Sequence, residues 1–110
     1  MTDFEYLHLD RDGDVLVVTI DKPDDHLNKV DEQMHHELTH LFKHLRNERE
    51  ARAVLLAGTD RAFTAGGDFG WFPDFAKPGY AADIRLDGRA IVWDLLDLHL
   101  PLVCAVTGHA

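Results

Sequence analysis

Ala62-Phe63-Thr64-Ala65-Gly66-Gly67-Asp68 is the stretch on which the reading of this sequence turns. It follows the short apolar run Arg52-Ala53-Val54-Leu55-Leu56-Ala57-Gly58, which reads as a buried strand, and precedes an expected helical turn. The small residues Ala65, Gly66 and Gly67 let a ligand come close to the backbone. Adjacent N–H groups at such a turn can aim at one oxygen, and a helix starting just after it adds the positive end of its dipole. That is the physical requirement of an oxyanion hole, whose donors lie about 3 Å from a developing negative oxygen. A purely structural Gly-Gly turn satisfies the same spacing, so the residues alone leave both readings open.

Upstream, Phe4, Tyr6 and Leu7 to Leu9 lead into Asp10-Arg11-Asp12-Gly13-Asp14, and the β-branched run Val15-Leu16-Val17-Val18-Thr19-Ile20 follows. This predicts a β-hairpin closed by an Asp-Gly turn. The second strand lacks polar alternation and is expected to be covered on both faces. Pro23 and its polar neighbours end it. Asp31 is placed to cap a helix over Glu32 to Arg49, with Met34, Leu38, Leu41 and Leu45 on the core face.

Downstream, Gly70, Pro73 and Pro78-Gly79 mark an irregular surface loop. Ala82 to Leu98 returns to helical periodicity through Ile84, Ile91, Leu95 and Leu98. Pro101 separates this helix from the strand Leu102 to Val106. A strand pair, a helix and a further strand make a ββα unit about to repeat, and no linker or low-complexity segment divides residues 1–110.

The 110 residues with 45% hydrophobic content fit one domain. A formal charge of -9, from 20 acidic against 11 basic residues, does not suit a grip on a phosphate backbone, so nucleic acid is not expected as a partner. Backbone N–H groups and a few local cations still suffice for a phosphorylated small molecule. The single Cys104 rules out an internal disulfide framework, and Thr2-Asp3 is not the start of a secretory signal. No stretch reaches the roughly 18 apolar residues of a membrane span. A reducing, cytoplasmic setting is therefore expected, with Cys104 packed inside the run Leu102-Val103-Cys104-Ala105-Val106.

Other candidate chemistry is discounted. His36, His40 and His44 align along one helix face, yet lie off the apolar stripe with no supporting carboxylate or cysteine and no HExxH pattern, so a solvated face is expected and no metal site. Asp24-Asp25-His26 has no nucleophile on a sharp turn to serve. Asp68 is expected to cap the next helix. Trp71, Phe72, Phe75 and Tyr80 suit either an acyl pocket or packing beneath a loop.

The order of these features resembles the enoyl-coenzyme A hydratase/isomerase family, also called the crotonase family. In that family the motif reads Ala-Phe-(Ser/Cys)-(Ala/Ser)-Gly-(Ala/Gly)-Asp, which residues 62–68 match almost throughout. The final Pro101-Leu102-Val103-Cys104-Ala105-Val106-Thr107-Gly108-His109-Ala110 is similar to the family's Pro-x-(Ile/Val)-Ala-x-Val-x-Gly-x-Ala. The resemblance implies a crotonase-like (ClpP/crotonase) α/β fold of repeated ββα units, here its N-terminal part and incomplete at the C-terminus.

It further implies that the Gly67 N–H is one of two donors to a thioester carbonyl, with Ala65, Gly66 and Asp68 shaping the turn. Residues 62–68, from Ala62 on, would border coenzyme A, as would Asn28. Lys29-Val30-Asp31 replaces the family's usual Ala-Leu-(Ser/Asn), and Lys29 is a candidate partner for a coenzyme A phosphate. Coenzyme A would arrive as part of the substrate, with no separate cofactor. The second donor and the hydratase's catalytic glutamates belong beyond Ala110, so the 110 residues alone are expected to be inactive. The alternative is a non-catalytic acyl-coenzyme A-binding or assembly module. The family forms trimers or pairs of trimers, which implies a homo-oligomer.

Overall fold

The computed structural model describes residues 3–110. Two antiparallel strands, β1 (Leu7–Asp12) and β2 (Val15–Ile20), are followed by α1 (Glu32–Leu45) and β3 (Ala53–Ala57). A short 3-10 helix (Phe72–Ala76), α2 (Tyr80–Leu96) and β4 (Leu102–Ala105) complete the order. The strands form one sheet, β1-β2-β3-β4, in which β3 and β4 each add in parallel. A parallel neighbour needs a crossover, and α1 and α2 provide the two. This is the expected α/β arrangement of a ββα unit starting to repeat.

The hairpin turn sits one residue later than expected. Asp12 pairs with Val15, leaving Gly13-Asp14 as the connection, with Gly13 at φ +59°. Asp10, Arg11 and Asp12 therefore belong to the strand, where an edge position keeps their charges in solvent.

The core lies between α1 and one face of the sheet. Leu16, Val18 and Ile20 of β2 and Val54 and Leu56 of β3 pack with Met34, Leu41, Phe42 and Leu45, and Leu38 lies at the margin. The Asp31 carboxylate accepts the Met34 N–H at 2.9 Å and starts α1. The helix stops at Leu45, short of the expected Arg49. There Glu48, itself buried, accepts the N–H groups of Glu50 and Ala51 at 2.8 and 2.7 Å and pairs with Arg11 at 2.8 Å. That carboxylate organises a turn that competes with further helix. The Arg11 guanidinium, helped by the Ala51 N–H, holds the Glu48 carboxyl down to about 2.

Two expectations about burial are corrected. β2 and β3 bury one face only, and Val15, Val17, Thr19, Ala53, Leu55 and Ala57 are half-buried. The reason is that α2 packs on α1 and leaves the second sheet face uncovered by either helix. Cys104 is exposed, because β4 is the outer strand and its neighbour Val103 is 60% exposed. Along the periodic residues of the second helix, Ile91 and Leu98 pack against the margin of the core, whereas Leu95 is exposed, as are Leu86, Trp93 and Leu96, and the one buried residue of α2 is Asp94, held by Arg46 at 3.0 Å.

Candidate functional site

The glycine turn is fastened to the segment before α1 by a single parallel bridge between Val30 and Gly67. Val30 donates to the Gly66 carbonyl at 2.8 Å, and Asp68 donates to the Val30 carbonyl at 2.8 Å. In such a parallel bridge one residue, here Val30, uses its own N–H and carbonyl, and the other is flanked by the peptide groups that meet them, so the N–H of Gly67 itself points the other way. The neighbours are occupied too: Ala65 donates to the Leu27 carbonyl at 2.9 Å and Gly66 to Thr64 Oγ1 at 3.2 Å. Thr64 Oγ1 donates in turn to the Asn28 carbonyl at 2.7 Å. Gly67 is exposed, and among the described residues no acceptor takes its N–H. Gly66 stands at φ +94°, where a side chain would be strained.

The two sequence motifs meet in space. Ala62, fully buried, bridges His109 in parallel, and the His109 carbonyl accepts from Phe63 and Thr64 at 2.8 and 3.2 Å. Gly108 has φ +66°, and a β-carbon there would collide with the Arg61 carbonyl. Only glycine lets the two chains approach so closely.

Asn28 is 1% exposed and sits at φ +50°. Its side-chain amide donates to the carbonyls of Ile20, Ala62 and Phe63 at 2.9, 3.2 and 3.3 Å, while its oxygen accepts the Lys22 N–H at 2.9 Å. The side chain is thus consumed in tying the end of β2 to the glycine turn, and its backbone is consumed as well, the N–H donating to the Asp25 carbonyl at 3.1 Å and the carbonyl accepting from Thr64. Lys29 is half-buried next to it, its N–H bonded to Asp25 at 3.1 Å. The fold therefore gathers Asn28, Lys29, Ala62, Ala65, Gly66, Gly67 and Asp68 into one region.

Asp68 does not cap a helix as expected. Its Oδ1 accepts the Gly70 N–H at 2.9 Å, and the following 3-10 helix has Trp71 at its cap position. The Gly70 N–H, against partial desolvation and with help from Lys29 and Lys22, holds its carboxyl below the usual aspartate range. The residue that sequence reasoning missed is Lys22, whose ammonium lies within 4 Å of the Asp25, Asp31 and Asp68 carboxylates. Burial works against that charge, but the Asp31 and Asp25 carboxylates outweigh it and hold the lysine above its ordinary value. No local pattern announces it, since its partners sit on three separate turns.

The aromatic residues differ in their packing. Trp71 is buried, donates to the Tyr80 hydroxyl at 2.7 Å and meets Phe75 edge-on at 4.9 Å. Phe72 is half-exposed and lies against Gly67, where a β-carbon would come within 2.8 Å of its ring. His36 and His40 are exposed off the core stripe with rings 4.3 Å apart, and His44 is half-buried. In the other discounted loop, Asp25 turns inward onto Lys22 while Asp24 and His26 face solvent. No helix among the described residues is long and apolar enough to cross a membrane.

The chain is similar to known proteins along nearly its whole length. A carnitinyl-CoA dehydratase from Citrobacter koseri is 32% identical over 107 residues, which is 96% of this chain and 40% of that protein. The carnitinyl-CoA dehydratase of Escherichia coli K12 is 31% identical over 108 residues, with the same coverage of 96% and 40%. The crystal structure of an enoyl-CoA hydratase/isomerase from Mycobacterium paratuberculosis superposes with a TM-score of 0.88 at 35% identity, covering 97% of this chain and 43% of that one. The chain thus spans about 40% of the length of the curated relatives it matches. With the enoyl-CoA hydratase/isomerase sequence pattern matching over residues 10–110, the chain belongs to the enoyl-CoA hydratase/isomerase family.

Proposed function

We propose that this chain supplies one half of an oxyanion hole for an acyl-coenzyme A thioester, with the Gly67 N–H donating to the thioester carbonyl oxygen. The observation that carries the reading is the exposed, unbonded Gly67 N–H, set between peptide groups that are locked onto Val30. A carbonyl oxygen seated on that N–H is polarised, so negative charge collects there as in an enolate. One such donor is worth about 2.7–4 kcal/mol in a transition state.

In this reading Ala62, Ala65, Gly66 and Asp68 shape the turn, and with Asn28 and Lys29 they border coenzyme A, which enters as part of the substrate without a separate cofactor. Among reactions that share this chemistry, addition or removal of water is favoured by the carnitinyl-CoA dehydratase relatives. The exposed apolar side chains of α2 favour self-association, for which the family resemblance suggests a trimer or hexamer, and the exposed lone thiol of Cys104 favours a reducing compartment such as the cytoplasm. Sedimentation velocity decides the first of these.

The test is calorimetric titration of acetoacetyl-coenzyme A into the native chain, Gly67→Ala and Gly67→Pro. Alanine keeps the N–H and proline removes it, while both place a β-carbon against Phe72. Binding by the native chain and the alanine variant, with none by the proline variant, is expected. Equal binding by all three overturns the role of Gly67, and no binding by the folded native chain overturns the reading as a whole.

A further inference from the structure

The Lys22 side chain is only 10% exposed, and its Nζ lies 3.1 Å from Asp31 Oδ2, 3.4 Å from Asp25 Oδ2 and 3.6 Å from Asp68 Oδ2. It also donates to the Lys29 carbonyl at 3.2 Å. Each carboxylate spends its Oδ1 on a backbone turn: Asp31 on the Met34 N–H, Asp25 on the Leu27 N–H and Asp68 on the Gly70 N–H. One ammonium therefore joins the start of α1, the loop after β2 and the glycine turn. The backbone of Lys22 is fixed as well, through its N–H to Asn28.

Three carboxylates around one cation leave excess negative charge, and partial burial limits its screening. Without the cation they repel one another. Asp31 is held by the helix it caps, and Asp25 by two backbone N–H groups. Asp68 has the longest pairing, and its other carboxylate bond is to Gly70 within the same irregular turn, so it is the least firmly anchored of the three. Its own N–H makes one of the two bonds that orient the Gly67 peptide against Val30.

We propose that Lys22 is a positioning residue for the Gly67 N–H: its ammonium holds Asp68, and through Asp68 the peptide that carries the donor, in register with Val30. Calling that N–H a donor to substrate rests on the function proposed above.

The test compares the native chain with Lys22→Met, Lys22→Arg and Asp68→Asn. Amide hydrogen exchange is read at residues 30 and 68, with Val54 in β3 as the internal reference, and acetoacetyl-coenzyme A binding is read in parallel. Lys22→Met is expected to speed exchange at residues 30 and 68 about tenfold relative to Val54 and to weaken binding by a similar factor, with Lys22→Arg restoring both. Asp68→Asn removes the ionic strut alone and is expected to reproduce the local exchange effect. Should Lys22→Met not fold, Asp68→Asn decides by itself. Native exchange rates at residues 30 and 68 in a folded variant, or acceleration spread equally to Val54, overturn the proposal. If the native chain binds no probe, the proposed function falls, while the exchange rates still decide whether Lys22 holds the turn.

Discussion

Ala62 and His109 face each other across a parallel bridge, with the Phe63 N–H 2.8 Å from the His109 carbonyl. The glycine turn is therefore braced on two sides, by Val30 ahead of α1 and by His109 beyond β4. A turn held from both sides has few ways to relax, which is how a backbone N–H is kept pointing outward without a partner of its own. Family resemblance linked the two motifs by their order; the fold links them by hydrogen bonds.

That bracing makes Gly108 the least replaceable residue of the second motif. Its φ of +66° and the collision of any β-carbon with the Arg61 carbonyl predict that Gly108→Ala destabilises the chain. A loss of about 2 kcal/mol or more is expected in urea denaturation. Gly13→Ala is the control, because Gly13 has φ +59° but open space around it, so it should cost only about 1 kcal/mol. Equal losses at the two positions would contradict the close approach at Gly108.

Asn28 gives a prediction with a pH signature. Three backbone carbonyls receive its amide N–H groups, and although the Ala62 carbonyl keeps the Thr59 N–H, Asn28→Ala strips a donor from each and should cost about 2 kcal/mol. Asn28→Asp replaces the donor with a charge facing the same carbonyls and should cost more at neutral pH. Protonating the new carboxyl gives back an O–H donor, so the gap between the two variants should narrow as pH falls. A gap independent of pH would rule this account out.

The fold was legible where one segment contains its own explanation. The stripe Met34, Leu38, Leu41, Leu45 and the cap at Asp31 fix α1, its start and its core face without outside information. The strands were legible as strands but not in their cover, because Val15, Val17 and Leu55 look the same in sequence whether a helix lies over them or not. Cys104 was misread for the same reason: an apolar run does not say that its strand is the outer one. In the site, Gly67 was found through a contiguous motif, whereas Lys22 was not, since a lone lysine before a proline carries no sign of three aspartates arriving from separate turns.

Glu48 predicts the acid limb of stability. Its folded-state value of about 2 lies below the ordinary 4.5, so the carboxylate stabilises the fold fully above 4.5 and loses that contribution as pH falls from 4.5 towards 2. Glu48→Gln keeps the shape but loses the charge-assisted bonds to Arg11 and to the Ala51 and Glu50 N–H groups, at a cost of about 2 kcal/mol at neutral pH. Measured by urea denaturation, the stability gap between native and variant should be flat above that window and shrink within it. A gap that grows on acidification would show that Glu48 is not held as an anion.

The final prediction concerns the ring beside the proposed donor. A β-carbon on Gly67 would come within 2.8 Å of Cε1 and Cζ of Phe72, the far end of a half-exposed side chain that has room to swing outward. Gly67→Ala should therefore cost little, about 1 kcal/mol, the scale of pushing one side chain off its rotamer. In a Phe72→Ala background the same change should cost almost nothing, because the obstacle is gone, giving a coupling of about 1 kcal/mol in a double-mutant cycle. The N–H survives in every one of these variants. If Gly67→Ala binds acetoacetyl-coenzyme A only after Phe72 is also truncated, the ring displaced by the new methyl group lies in the ligand's path, and Phe72 borders the bound thioester. If the two changes prove independent in both stability and binding, Phe72 is not in contact with the Gly67 position in solution.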